Sequence, residues 1–460
     1  MQTYDLGGGK LCDALPAALR ADILSGVLAP GEKLPSKRRL AEHHGISINT
    51  VQNAYEQLIA EGYIEAIERK GYFVADIPRA PEAPAHEPTV SQEAVPVPQL
   101  DLVAATDGSR FPFALWSRLM RRVLTEEGER LLSPLPASGA PALQKAIAAY
   151  LHDERGIAVS PAQIVIGAGT EYLYHLLLQL LGRDRLYGVE NPGHSKIARI
   201  YALNGVSFCP VSLDSGGVCL DEIERLGVAV LHISPNHHFP TGTVTPMPRR
   251  LALLQWVGSG DRYIIEDDYD SEFRFSGRPI PPLFGMDRTE RVVYINTFSK
   301  TIAPSMRISY MVLPPTLLQR YRELLGFYAC PVPAFEQYTL ARFIADGHFG
   351  THLRRMRTFY RGRRDAILSL LQSAPLAQRL RIREADAGLH FLLELKTSKS
   401  DDELRHLAQK NGIRIAFLQD YRIEGDRSDT HTLVINYAGL EPCDLQNAIQ
   451  ILFDEKEPTQ

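Results

Sequence analysis

The densest chemical signal in the chain is Tyr294-Ile-Asn-Thr297-Phe-Ser299-Lys300, followed by Thr-Ile-Ala-Pro-Ser-Met-Arg307. A lysine just past an apolar strand is suited to form a Schiff base with an aldehyde cofactor. Hydroxyls at Thr297 and Ser299 and the guanidinium of Arg307 suit a phosphate dianion. Gly167-Ala168-Gly169-Thr170 opens an expected helix from Glu171 to Leu181. That places backbone amides at a helix N-terminus, where anions are favoured. Asp267, closing the apolar run Tyr263-Ile264-Ile265, could pair with a protonated pyridine nitrogen, and Tyr269 with a phenolic oxygen. Each piece alone is weak, since a Ser-Lys pair is usually surface and an Asp after a strand is often a cap. Their occurrence in order on one chain makes coincidence a poor explanation.

A second constellation lies near the N-terminus. Ser47, Asn49, Thr50, Gln52 and Asn53 put short polar side chains at the start of one expected helix. A recognition helix needs them there, because those positions enter the major groove and reach base edges. Lys37, Arg38, Arg39, Arg69 and Lys70 would add phosphate contacts from a preceding helix and a hairpin turn. The competing explanation is a solvated helical domain with ordinary surface charge. His232, His237 and His238 invite a metal hypothesis, but no cysteine or helical His pair supports one, so no metal is expected. Arg354, Arg355, Arg357, Arg361, Arg363 and Arg364 fit a solvated helix face with intramolecular pairs better than a second DNA contact.

The elements that must position these groups fall into two parts. Pro78, Pro81, Pro84, Pro88, Pro96 and Pro98 mark a semi-rigid linker over 78–100 between a head, 1–77, and a body, 101–460. In the head, Leu15, Leu19, Ile23, Leu24 and Val27 recur at helical spacing. Ser36 and Ser47 are placed to cap two further helices, the second ending at Gly62. Tyr63–Ile67, the turn Glu68-Arg69-Lys70-Gly71 and Tyr72–Val74 then form a hairpin. Three helices and a hairpin describe a winged helix-turn-helix. In the body, short apolar strands alternate with helical segments, which predicts an α/β fold with a mostly parallel sheet and sites at its C-terminal edge. A large part of about 140–325 is expected to precede a smaller α+β part of about 340–460.

Composition bounds the partners. The 460 residues carry 50 basic against 54 acidic side chains, a net charge of −4. That argues against a protein coated in cationic charge, while leaving room for a local basic face. Five scattered cysteines without a CxxC pair fit reduced thiols in a cytoplasmic protein.

The segment Ala29-Pro-Gly-Glu-Lys-Leu-Pro-Ser-Lys-Arg-Arg-Leu-Ala41, with Gly45–Val51 and Ala54–Gly62, resembles the head of GntR-family transcription regulators. By that resemblance Ser36, Arg38, Asn49, Thr50, Gln52 and the wing Gly71 match DNA-contacting positions. The family often has Arg after the serine that starts the recognition helix, whereas Ile48 stands here.

From about residue 101 the chain resembles fold-type I pyridoxal-phosphate (PLP) enzymes of the aspartate aminotransferase group. Head and body together resemble the MocR subfamily of GntR regulators, through Thr-Phe-Ser-Lys-x-x-x-Pro, Glu-Asp-Asp-Tyr-Asp-Ser-Glu-Phe, His-His-Phe-Pro-Thr-Gly and His352-x-Arg-Arg-Met-Arg357. The resemblance implies a Schiff base on Lys300, a phosphate cup of Gly169, Thr170, Thr297 and Arg307, and ring contacts from Asp267 and Tyr269. His194 falls where relatives place a ring-stacking Tyr. It also implies a domain-swapped, head-to-tail homodimer on a double-stranded DNA operator.

Three departures bear on the ligand. Val434 stands where the aminotransferases bind a carboxylate with Arg, Lys196 replaces a second effector-binding Arg, and Leu135 stands where a Tyr reaches the partner's phosphate. A lysine lacks the bidentate fork of arginine. The expected protein is therefore a regulator that senses PLP or an amine without the usual carboxylate, in vitamin B6 or amino-compound metabolism. The alternative is a PLP-dependent aminotransferase with an accessory DNA-binding domain.

Overall fold

The computed structural model describes residues 3–4, 11–78, 98–104, 110–275, 280–423 and 431–453, with the backbone alone at 11 and 12. The chain divides into two compact units, Met1–Val95 and Pro96–Gln460. Most of the expected proline-rich linker, 79–97, lies outside the described residues.

The first unit holds α1 (Leu11–Ser25), α2 (Lys37–His44), α3 (Ile48–Ala60) and the hairpin β1 (Ile64–Ile67) and β2 (Gly71–Val74). Leu15, Leu19, Leu40, Val51, Tyr55, Leu58, Ile64 and Val74 close one core. Leu24, within α1, and Val27 share the helical spacing yet are exposed; Val27 lies beyond the helix, which stops at Ser25 before Gly26 turns to φ 80°. Ser36 and Ser47 cap α2 and α3 by accepting from the amides of Arg39 and Thr50. Helix α3 ends at Ala60, capped by Glu61, and Gly62 follows with φ 77°.

In the second unit the elements run β3 (Leu100–Asp101), α4 (Phe113–Glu127), α5 (Pro141–Arg155), β4 (Ile164–Gly167), α6 (Thr170–Leu181), β5 (Tyr187–Asn191), α7 (Ser195–Leu203), β6 (Phe208–Asp214) and β7 (Gly217–Val218). They continue with α8 (Leu220–Leu226), β8 (Val230–Ile233), α9 (Met247–Gly258), β9 (Tyr263–Asp267), α10 (Leu283–Met286), β10 (Val292–Thr297) and β11 (Ser309–Val312). The remainder is α11 (Pro315–Leu325), α12 (Ala334–Ala345), α13 (His348–Ser373), β12 (Leu380–Arg383), β13 (His390–Leu395), α14 (Asp401–Lys410), β14 (Ile413–Arg414), β15 (Thr432–Asn436) and α15 (Pro442–Phe453).

Eight strands form the main sheet in the order β4-β11-β10-β9-β8-β5-β6-β7. The run β10-β9-β8-β5-β6 is parallel, while β11 is antiparallel to both β10 and β4. Strands β4, β8, β10 and β11 are buried at every position. This is why their sequences are mostly apolar and do not alternate with polar residues. A smaller antiparallel sheet, β12-β13-β15, and the parallel pair β14-β3 follow. No helix of the described residues is long and apolar enough to cross a membrane.

Candidate functional site

Five strands deliver the chemistry at one edge. Thr170 follows β4, His194 follows β5, Ser234 follows β8, and Asp267 and Thr297 are the last residues of β9 and β10. Carboxyl ends of parallel strands are where an open α/β sheet leaves a crevice. Here that crevice is a cavity of about 580 Å³, lined among others by Thr170, His194, Asp267, Tyr269, Lys300 and Arg307.

Lys300 lies three residues past β10. Burial lowers its pKa, Asp270 opposes that shift, and Lys196 adds to it. Asp267 is buried, and its Oδ2 accepts a short hydrogen bond from Tyr174. Burial and Asp267 itself raise the Tyr174 pKa well above the ordinary phenol value, so the phenol keeps the proton it donates. His232 Nε2 stands 3.7 Å from the same oxygen. Asp267 Oδ1 and His232 Nε2 are buried without a hydrogen-bond partner among the described residues. A buried carboxylate oxygen left unmatched is costly unless something else meets it.

The anion cup is built around a bare glycine. Gly169 has φ 93°, and a Cβ there would stand 2.4 Å from Arg307 Nη2. Gly169 therefore lets the guanidinium lie against the backbone at the start of α6. Thr297 Oγ1 accepts from Ser309 Oγ at 2.8 Å and from the Ser299 amide at 3.2 Å. The Ser299 hydroxyl donates to the Met306 carbonyl at 3.0 Å. Arg307 pairs with Glu171, which also takes Lys196 at 2.8 Å.

His194 caps α7 by accepting from the Lys196 amide at 3.4 Å, and its ring is tilted against Phe239. The Tyr269 hydroxyl stands 3.2 Å from His237 Nδ1, which lies 3.0 Å from both oxygens of Asp270. His237, Asp270 and His390 are also close enough to hold a metal ion, all three being buried. His237 Nδ1 meets Asp270 and His390 Nε2 meets the Pro240 carbonyl, while His237 Nε2 has no hydrogen-bond partner among the described residues. Val434 is buried with Leu392 and Leu418 and packs on Phe239 and Tyr421, both of which line the cavity. Val434 itself does not line the cavity, whereas Arg414 and Asn436 do. Leu135 packs against the core beside Val123 and Leu131.

Sequence reasoning missed Glu171, Tyr174, Arg414 and Tyr421 at this site. Tyr174 stood one helical turn beyond Thr170, which was the available signal. Of the arginines on α13, Arg357 donates to the Glu272 carbonyl, Arg363 to Ala438 and Arg364 to Asp365. These are the intramolecular pairs expected, but the three paired arginines are half-buried, and only Arg354, Arg355 and Arg361 are exposed.

In the first unit, Ser47 Oγ is 2.8 Å from Thr50 Oγ1, so the cap engages both hydroxyls. Asn49 is exposed, whereas Gln52 donates to Glu56 at 2.8 Å. Arg38 pairs with Glu42, and the Lys37 ammonium lies over the Tyr72 ring. Arg69 and Lys70 are exposed at the hairpin turn, and Gly71 opens β2 with φ 114°.

Residues 11–74 match the family described as bacterial regulatory proteins, gntR family, and residues 107–452 match aminotransferase class I and II. The chain is 32% identical over 456 residues to the probable rhizopine catabolism regulatory protein MocR of Rhizobium meliloti, covering 94% of this chain and 91% of the relative. It is 30% identical over 408 residues, 88% of both chains, to the pyridoxine biosynthesis transcriptional regulator PdxR of Corynebacterium glutamicum. Among solved structures, kynurenine aminotransferase of Pyrococcus horikoshii superposes with a TM-score of 0.68 at 22% identity, covering 78% of this chain and 90% of that one. That likeness establishes the fold of the second unit.

Proposed function

The chain belongs to the MocR group of GntR-type regulators, a helix-turn-helix head joined to an aminotransferase-like body, and from that premise we propose that it reads DNA under control of PLP held at Lys300. The single observation that carries this reading is the unmatched, buried Asp267 Oδ1 in a cavity that also holds Lys300 and an anion cup.

The residues present fit the cofactor. Asp267 supplies an acceptor for a protonated pyridine nitrogen, and Tyr174 holds that carboxylate in place. Lys300, its pKa lowered by burial, offers more neutral amine at neutral pH than an exposed lysine does. Thr170, Thr297, Ser299 and Arg307, with the amides opening α6, suit the phosphate. His194 offers a ring for stacking and Tyr269 a phenol for the cofactor's ring oxygen. When bound, PLP supplies an electrophilic carbon that accepts amines.

The effector we propose is PLP itself or an amine lacking a free carboxylate. Val434 in place of an arginine, the pairing of Lys196 with Glu171 and the pairing of the lining Arg414 with Asp101 support it. The name of the relative PdxR is consistent with the first choice. In the head, Ser36, Lys37, Arg38, Ser47, Asn49, Thr50, Gln52, Arg69, Lys70 and Gly71 are the proposed contacts to an operator in the cytoplasm. We propose a domain-swapped homodimer, because two heads match the two-fold symmetry of a palindromic site. The aminotransferase reading keeps the support of Lys300, Asp267 and Tyr269, which would sustain a partial reaction.

The experiment is an absorbance spectrum with PLP, followed by borohydride. A yellow band that becomes fixed to Lys300, and is missing in Lys300→Ala, is expected; a band that persists in the variant overturns the site. A gel shift on the protein's own promoter region, with and without PLP, tests the regulation. No shift under either condition would remove DNA control from the reading. Full conversion of the bound cofactor by ordinary α-amino acids would favour the enzyme instead.

A further inference from the structure

Glu171 occupies an unusual place in the cup. It is in the first turn of α6, directly after Thr170, where a helix N-terminus favours an anion. Its Oε1 takes Lys196 Nζ at 2.8 Å, and its Oε2 takes Arg307 Nη2. Burial pushes this carboxyl up, but the bonds from Lys196 and Arg307 outweigh it and hold the pKa below the ordinary value. Glu171 is therefore ionised at neutral pH. The same guanidinium is pressed against bare Gly169, so both of its faces belong to the cup. The anion that meets Arg307 in this structure is thus the chain's own.

We propose that Glu171 is a built-in competitor for phosphate, which lowers the affinity for PLP and leaves occupancy responsive to supply. A phosphate dianion entering the cup must draw Arg307 from Glu171 and sit beside a fixed negative charge. Like charges this close repel, and solvent at the exposed edge of the cup reduces that repulsion without abolishing it. When Arg307 turns to the phosphate, Glu171 remains on Lys196. That pairing neutralises Lys196 as a receptor for an effector's carboxylate. One residue so acts on both the affinity for the cofactor and the chemical class of the second ligand. A structural role confined to helix α6 would predict neither, since losing an anion from its first turn lowers helix stability without distinguishing PLP from pyridoxal.

This inference rests on PLP binding at Lys300, and the experiment separates the two. Glu171→Gln keeps the side-chain length and removes the charge. PLP titrated into the full chain and followed by absorbance should bind about two- to fivefold more tightly in the variant, the range expected when binding no longer has to break one partly exposed ion pair. Pyridoxal, which lacks the phosphate, should bind both proteins equally. With PLP held below its dissociation constant, inorganic phosphate should compete at lower concentration in Glu171→Gln. Equal or weaker PLP binding in a variant with unchanged melting temperature overturns the competitor role. A tightening shared equally by pyridoxal also overturns it, because the effect would then not run through phosphate. If borohydride fixes no cofactor on Lys300 in the unsubstituted protein, the underlying site assignment fails instead. Glu171→Asp, which keeps the charge on a shorter arm, should stay closer to the unsubstituted protein than Glu171→Gln does.

Discussion

At the scale of single residues, the site depends on groups whose protonation is held by burial. Glu190 lines the cavity; burial raises its pKa well above the ordinary value, the Ser234 amide opposes this, and Asp267 adds to it. His238 Nε2 stands 3.5 Å from that carboxyl, and its Nδ1 is 2.7 Å from the Thr241 hydroxyl. Burial lowers the His238 pKa from 6.5 to about 3, with His237 adding to the shift. The unfolded chain takes up a proton near pH 6.5 that the folded protein refuses until about pH 3. His238 therefore removes stability as pH falls through that window, by about 2 kcal/mol at pH 5. Between pH 7 and pH 5, denaturant unfolding of the body should show His238→Gln losing less stability than the unsubstituted protein by about that amount. Equal losses would mean that the folded protein takes up the proton. Lys300, Asp267 and Tyr269, which line the cavity, were singled out in the sequence because they occur in order at the ends of apolar runs, although each alone is a weak signal. Glu171 and Tyr174 were not. A glutamate in a helix's first turn reads as a partner of the dipole, and its pairing with Arg307, 136 residues away, depends on which strands lie side by side.

At the scale of elements, the head was read well because its punctuation is local. Two serines cap two helices, and glycines or turn residues end them, all within a few residues of each other. Sheet order is different. β11 inserts antiparallel between β10 and β4, and no pattern within Ser309–Val312 states either its direction or its neighbours. The short β6-β7 hairpin was hidden in the same way. Helix α3 carries the specific prediction. Ser47 holds the Thr50 amide, so Ser47→Ala should cost the head about 1 kcal/mol in thermal unfolding. Asn49 is exposed near the same end, so Asn49→Ala should weaken binding to the cognate promoter by about 1–3 kcal/mol and leave random duplex binding unchanged. Lys70→Ala should weaken both equally and reduce the slope of log affinity against log salt by about one. Equal losses on both duplexes for Asn49→Ala would make it a phosphate contact. Ile48, 48% exposed beside it, offers no donor for a guanine, so the preferred sequence should differ from that of relatives with Arg there.

At the scale of the whole molecule, a net charge of −4 is compatible with DNA binding because the contacts require only a few cations on a small head. The two units each close their own core, Leu15 to Val74 in one and the sheet-centred clusters in the other. Each can therefore unfold as its own transition, and PLP should raise only the larger one, by about 2.7 kcal/mol at a concentration of 100 times its dissociation constant. Regulation asks for more than two stable units. A ligand alters DNA affinity only through a difference in its affinity for two states of the protein, and the coupling is reciprocal. If PLP changes affinity for the promoter by some factor, the promoter must change affinity for PLP by that same factor. Both can be measured on the full chain, the first by DNA titration with and without saturating PLP, the second by absorbance titration of PLP with and without saturating promoter duplex. The two factors should agree and both should vanish in Lys300→Ala. Glu171→Gln should shift the PLP concentration at which the DNA response is half complete downward by the same factor as its PLP affinity, because the competitor acts on occupancy and not on the coupling. A changed coupling factor in that variant would instead place Glu171 on the path between cofactor and DNA.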